Sequence, residues 1–456
     1  MDDLPLYVYE PLHGPTWIRV LALQPSEQFN DPLRCNIQHL DRMEIIEMSN
    51  ASGSHYEPVS YTWGEPNFSH QLICNNNAAI PITENVDIML RTFRKVHRVL
   101  NLWVDAICLD QKNVNEIQEQ VPKMGEIYSE ATKLRAWTGP DNDGKAVKVF
   151  SFFKLLVMTV RRSPSKELGP AQEIMKEISQ SDIENFLMRQ FFRRRWIIQE
   201  IKLGMNIVCY NGREKLSWLW IKEALRQLSN PGWKWASPLG EGAEGGLVAM
   251  SSLQQDRNRL LDLLWDVHTS DCLNPHDRLF ALYGLANDLN FSGDTSKAFT
   301  RWTCWENPPE DMRIHIEQSR QNLYAMVDYG IGFETVYTDF AKSCVLHGYI
   351  LDILIHQTIF GNLSVRSTKL PSWVPDWSQR RISGGFENFY NYHRQHPHSN
   401  FPSGIFYMSA QNDLIMDTWG DGNWIVDSTW NSLQTFQMIG SSYTRHHETL
   451  GVIFWG

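Results

Sequence analysis

Apolar and polar positions alternate along residues 16–23 (TWIRVLAL) and 33–39 (LRCNIQH), bounded by Pro and Asp, and predict two strands. Residues 57–62 (EPVSYT) predict a buried strand that stops at Trp63-Gly64. Residues 72–74 and 79–82 flank Asn75-Asn76-Asn77 and predict a hairpin. Thr83 predicts a helix cap, because Val86, Met89, Leu90, Phe93 and Val96 follow at helical spacing on one face. Residues 101–105 predict the next buried strand. A helix is expected over 115–132, with Ile117, Val121, Met124, Tyr128 and Ala131 on one stripe and a kink at Pro122, which lacks the N–H the helix needs. Residues 134–138 predict a strand ended by Gly139-Pro140. Helices at 146–160, 171–190 and 192–203 and a strand at 207–210 follow.

Strand, helix, strand, helix, strand is the order of an open parallel α/β sheet. At 456 residues the chain is too long for one ordinary core. The expected organisation is an N-terminal β extension over 1–50 packed on an α/β domain at 51–230. A linker is expected at 231–250 (PGWKWASPLGEGAEGGLVAM), then a helical region at 251–380 and an irregular or β tail at 381–456. Within the helical region, residues 251–268, 277–285 and 334–350 carry helical periodicity.

Composition narrows the function. A net charge of −10 argues against a nucleic-acid binder working through a basic face. No apolar run approaches the ~20 residues of a membrane span, and the acidic start MDDLPLYVYEPLHG lacks the pattern of a secretory signal. The seven cysteines are scattered with no Cys-x-x-Cys pair, which predicts a reducing compartment, the cytoplasm by default, and no zinc site. Tryptophan is the outlier, with 18 copies. They suit either small satellite cores beneath long loops or an aromatic surface for a partner.

Three runs join a buried element to a polar cluster at its end: residues 59–66 (VSYTWGEP), 102–111 (LWVDAICLDQ) and 195–200 (RWIIQE). Together they resemble the fungal heterokaryon-incompatibility (HET) domain. Ser60, Tyr61, Trp63 and Gly64 fit its first motif. Leu102, Trp103, Asp105, Ala106, Cys108 and Gln111, then Glu116, Gln120, Val121, Met124, Ile127, Tyr128 and Ala131, fit its second. Arg194, Trp196, Gln199 and Glu200 fit its third. Residues 274–285, 336–340 and 371–377 are similar to segments that follow that domain, so the resemblance spans about residues 1–380. Ile117 and Pro122 depart from the family pattern. The resemblance implies non-self recognition and programmed cell death signalling, with self-association and protein partners.

The HET domain is in turn similar to Toll/interleukin-receptor (TIR) domains, which implies a flavodoxin-like fold. Some TIR domains cleave NAD with a glutamate in a Trp-x-x-x-Glu helix, and Trp196 and Glu200 have that spacing. Residues four apart share a helix face. The resemblance thus makes Glu200 the candidate catalytic group and NAD a candidate substrate, with no resident cofactor. Ser60, Tyr61, Trp63, Asp105 and Trp196 are candidate substrate-binding residues, since ligands of open α/β sheets sit at the carboxyl ends of the strands. The plainer alternative pairs Glu200 with Arg194 or Lys202 on a helix surface and makes the domain a non-catalytic interaction module. Trp302 and Glu306 repeat the spacing in a weakly periodic region, so spacing alone decides nothing. Asp105 and Asp110 suit turn chemistry better than a metal ion. Arg193, Arg194 and Arg195 read as a solvated face or an anion contact. Gly240, Gly242 and Gly245 match a dinucleotide fingerprint without its preceding strand and read as linker.

Overall fold

The computed structural model describes residues 4–44, 56–162, 178–252, 259–291, 324–325, 327–346, 349–360, 366–381 and 390, and short strands at 403–408, 414–419, 435–436 and 454–455. The chain forms two compact units. One comprises Met1–Asp256 and Thr269–Leu285; the other comprises Arg257–His268 and Ala286–Gly456.

The first unit is built on a seven-stranded mixed sheet. Its strands are β1 (Trp17–Leu23), β2 (Cys35–Asp41), β3 (Glu57–Ser60), β6 (Leu100–Trp103), β7 (Arg135–Trp137), β8 (Val208–Asn211) and β9 (Glu214–Ser217), in spatial order β2-β1-β6-β3-β7-β8-β9. The hairpin β4 (His70–Cys74) and β5 (Ala78–Ile82) pairs separately. The centre, β6-β3-β7-β8, is parallel, while β1, β2 and β9 are antiparallel to their neighbours. The chain steps from β3 to β6 on one side, then crosses back to β7 on the other. The carboxyl ends of β3 and β6 therefore lie side by side where the winding direction reverses.

The predicted strands form because their apolar residues are buried. Val20, Leu21, Leu102, Trp103, Val59, Ala136 and Trp137 are fully inaccessible. Thr83 caps α1 (Glu84–Phe93) by accepting from the Val86 N–H. Pro122 acts as its chemistry predicts: α3 (Val114–Gln120) stops, Val121–Lys123 forms a 3-10 turn, and α4 (Met124–Ser129) resumes. Residue Asp105, placed by sequence at a strand end, instead opens a short helix, α2 (Asp105–Cys108).

The crossover from β7 to β8 carries α5 (Ala146–Arg162), α6 (Gln180–Leu187) and α7 (Arg195–Leu203). After β9 come α8 (Trp218–Leu228) and α9 (Glu241–Ser252). The stretch expected as a linker is thus helical from Glu241 onward. Gly246 reflects close packing rather than slack: a Cβ there would lie 2.3 Å from the Leu187 carbonyl oxygen, and Leu247 and Met250 are buried, whereas Gly240 and Gly245 face open space.

The N-terminal segment is clamped by an ion pair. Arg19 meets both carboxylate oxygens of Glu116 at 2.6 and 3.0 Å, and also donates to the carbonyls of Glu10 and Cys108. Arg19 is 1 % and Glu116 7 % exposed. Removing either partner alone would leave a buried charge uncompensated, at a cost of about 3–5 kcal/mol.

The described part of the second unit is mainly helical: α10 (Leu260–Asp266), α12 (Phe333–Leu346) and α13 (Ile350–Ile359). Its core gathers Trp265, Tyr337, His356, Trp377 and Tyr390, with the Trp377 indole N–H donating to His356 Nδ1 at 3.1 Å. Several tryptophans thus fill interiors, as Trp103, Trp137, Trp265 and Trp377 do. Trp302 and Trp305 lie outside the described residues. Among those described, no helix is long and apolar enough to cross a membrane.

Candidate functional site

The site grows from the ends of β3 and β6. Beyond Ser60 the chain turns through Tyr61, Thr62 and Trp63 to Gly64, whose φ of 78° lies in the left-handed region where a side chain is strained. That turn is pinned from α1: Thr83 donates to the Trp63 carbonyl at 2.7 Å and Asn85 to the Thr62 carbonyl at 2.6 Å. Asn85 is itself held by the Trp137 indole N–H at 2.9 Å.

Asp105 receives this loop. Its Oδ1 accepts from the Tyr61 hydroxyl and from the Ala106 N–H, each at 2.7 Å, and its Oδ2 accepts from the Trp63 indole N–H at 3.0 Å. Gln111 donates to the Asp105 carbonyl at 2.9 Å. The Asp110 side chain does local work, accepting from the Lys112 N–H.

The third element is α7, which stops at Gly204, where a Cβ would lie 2.5 Å from Leu134 Cδ1. Helix α7 presents almost nothing to water: every residue from Arg195 to Ile201 is buried. Glu200 is 1 % exposed, so its expected place on a helix surface is corrected, while the expected partner Arg194 does lie in its field. Burial pushes its pKa up to about 7, against the opposing field of Arg194. Ser60 and Tyr128 lie near enough to favour the carboxylate and Asp105 disfavours it. Yet Ser60 Oγ and Glu200 Oε2 are both buried without a hydrogen bond of normal geometry. Ser60 is therefore a close polar neighbour of Glu200, short of a full hydrogen bond.

Arg194 supplies the positive charge that faces both acids. It donates to the Tyr61 carbonyl and stands 3.8 Å from Asp105 Oδ2. Burial works against its charge, but Glu200 and Asp105 overcome this and hold its pKa above the usual value. The expected solvated arginine face is likewise corrected, because three consecutive residues at a helix start point three ways. Arg193 pairs with Asp271 at 2.7 Å, Arg194 enters the site, and Arg195, 1 % exposed, donates to Arg278 O and Ser270 Oγ.

Ser60, Tyr61, Trp63, Asp105 and Glu200 thus share one locus, with Trp63 its most open member at 37 % exposure. Trp196 stands one turn before Glu200 and is 8 % exposed. Trp302 and Glu306 lie outside the described residues. Two further members are Arg194 and Tyr128. Tyr128 belongs to the helical stripe that reads as core, but its hydroxyl donates to Val59 O at 3.1 Å, and burial and Glu200 raise its pKa. Residues 269–285 also matter: α11 (Asp277–Tyr283) packs on α7, and the Gly284 N–H donates to Gln199 Oε1 at 3.2 Å.

Chemically, the locus holds two carboxylates in unlike surroundings. Asp105 accepts from three donors, whereas burial raises the Glu200 pKa to about 7. Such a division equips one acid to organise and the other to exchange a proton or stabilise positive charge.

The stretch that builds this locus matches a described family: the sequence model of the heterokaryon incompatibility protein (HET) family matches residues 56–200, from the start of β3 to Glu200 itself. Among curated proteins, the chain is similar to heterokaryon incompatibility protein 6, OR allele, of Neurospora crassa, with 23 % identity over 436 residues. The similarity covers 80 % of this chain and 58 % of that relative's length. No solved structure matches the chain.

Proposed function

We propose that this protein acts in heterokaryon incompatibility in the cytoplasm, its HET domain signalling cell death and its C-terminal region sensing or restraining that signal through protein partners and self-association. We further propose that the signal is NAD cleavage at the Glu200 locus. The observation that carries this reading is the buried Glu200 carboxylate, its pKa raised to about 7, at the carboxyl rim of parallel strands beside Ser60 and Asp105. The central strand order β6-β3-β7-β8, with its reversal at β3, supports a flavodoxin- and TIR-like arrangement.

The reaction asks little of the protein. Nicotinamide leaves a pyridinium as a neutral molecule, so no acid has to protonate it. The breaking bond joins the ring nitrogen to the ribose anomeric carbon, and positive charge develops on the ribose. An ionised Glu200 beside that carbon stabilises the oxocarbenium character until water adds. Trp63 offers an exposed indole for stacking, fixed by its bond to Asp105. Because Glu200 must be ionised and its pKa is about 7, turnover rises with pH through neutrality.

The test is nicotinamide release from NAD by the purified chain and by Glu200→Gln, under conditions that promote self-association. The expected result is release by the wild type and at least a roughly 100-fold loss in the variant. Equal release by both removes the site; no release by either removes the enzyme. The 1 % exposure of Glu200 favours a second reading, a non-catalytic module in which the cluster only shapes a binding surface. Cell death on overexpression with constant NAD would select it.

A further inference from the structure

Two buried thiols away from the Glu200 locus lie against each other. Cys35 Sγ and Cys74 Sγ are 3.1 Å apart, and the residues are 3 % and 4 % exposed. The backbone explains the approach. Arg34 and Ile73 form a parallel bridge, with the Ile73 N–H donating to Leu33 O at 3.0 Å. One residue further along both strands, Cys35 and Cys74 face the same side of the pleat. Asn75 locks the register from the next turn, accepting from the Ile37 N–H at 3.0 Å and donating to Ile37 O at 3.3 Å. The pair therefore sits where the β4–β5 hairpin docks on the β2 edge, and the segment between them spans 39 positions.

We infer that Cys35 and Cys74 form a reversible dithiol–disulfide site that fastens the β4–β5 hairpin to the main sheet when the surrounding thiol pool becomes oxidising. The oxidant is a small-molecule disulfide. One cysteine thiolate attacks it, forming a mixed disulfide and expelling one thiol. The second cysteine then attacks the protein-side sulfur, closing Cys35–Cys74 and expelling the second thiol. Two electrons pass from the cysteine pair to the oxidant, and the two cysteine protons end on the two released thiols. The hydrogen bond to Cys74 and burial both raise the Cys35 pKa, so thiolate is scarce in the closed fold. Exchange consequently waits on local opening of the hairpin and is slow. That hairpin leads directly into Thr83 and Asn85, which pin the Trp63 turn, so the bond would stiffen one support of the HET site.

The test uses the full chain in buffers of graded reduced and oxidised glutathione, quenched with a thiol-blocking reagent and mapped by peptide mass spectrometry. The expected product is a Cys35–Cys74 linked peptide two hydrogens lighter than the reduced pair. It should form faster in mild urea and disappear in Cys35→Ala and Cys74→Ala. The oxidised chain should melt roughly 5 °C higher, since a closed loop restricts the unfolded ensemble. Mapping the unmutated chain keeps the test independent of whether a variant folds. Absence of the linked peptide at the most oxidising ratio, with mild urea present, would overturn the proposal. Cys35 linked to a different cysteine would do so as well.

Discussion

Each unit holds an arginine among carboxylates, and the two clusters differ in what they leave unsatisfied. In the second unit Arg259 grips Asp262 with two bonds, at 2.8 and 3.0 Å, and reaches Asp352 at 3.5 Å. The neighbouring Asp288 accepts from the Leu260 N–H at 2.9 Å. None of these four side chains leaves a buried polar atom without a partner. In the first unit Arg194 stands 3.8 Å from Asp105, and Glu200 Oε2 and Ser60 Oγ are buried without a hydrogen bond of normal geometry. A buried arginine–carboxylate cluster is thus no functional signature by itself. Its place beside the carboxyl ends of the parallel strands β3 and β6 is what sets the first cluster apart.

The sharpest way to break the comparison is to treat both clusters alike. Asp262→Ala should destabilise its unit by about 2–4 kcal/mol, the buried-pair figure reduced for the partial exposure of Arg259. Denaturant unfolding measures it, and a loss below 1 kcal/mol would mean that cluster is not structural.

Next comes pH. Glu200 has its folded pKa raised from 4.5 to about 7, so its contribution to stability is fully present below its unfolded pKa and is lost as pH rises through about 7. The loss amounts to ~3 kcal/mol. Asp288, raised by burial to about 6, contributes in the same direction. Comparison with Glu200→Gln isolates the Glu200 share: the wild type should fall relative to the variant between about pH 5 and pH 8. Parallel pH profiles would show that Glu200 is not desolvated.

A smaller effect separates the supports of α7 from its chemistry. Gln199→Ala removes the acceptor of the Gly284 N–H and should cost about 1 kcal/mol. Thermal unfolding checks this, and nicotinamide release should fall with it. Smallest in stability, at under ~1 kcal/mol, is Trp63→Ala, because the indole is 37 % exposed. Its effect should appear in ligand binding instead; unaltered NAD binding would remove Trp63 from the site.

The sequence made legible what local chemistry dictates. The alternation in residues 16–23, the Thr83 cap and the Pro122 interruption all appear where periodicity and backbone chemistry put them. Placement of Ser60, Tyr61 and Asp105 at neighbouring strand ends also followed from local pattern plus the parallel-sheet rule. What escaped is set by distant contacts. Glycines at 240–246 suggest a linker unless the Leu187 carbonyl is known to press on Gly246. β9, at four residues, is too short for a periodic signal, whereas the helical spacing of Trp218, Ile221, Leu225 and Leu228 in α8 is legible in the chain. Glu200 looks like a surface acid on a helix until α4 and α11 cover that helix. The separate fates of Arg193, Arg194 and Arg195 depend on residues 75 or more positions away.

The return of residues 269–285 to α7 has a consequence for how this chain tolerates being cut. The segment that the family pattern spans ends at Glu200, yet Arg195 and Gln199 find their partners at Ser270, Arg278 and Gly284. A protein shortened after residue 256 would keep every strand of the sheet and still strand a buried guanidinium. The span inherited as a recognisable sequence and the span that must travel together to fold are therefore different lengths of gene. Recombination that grafts this domain elsewhere would succeed only if it carried the downstream stretch along.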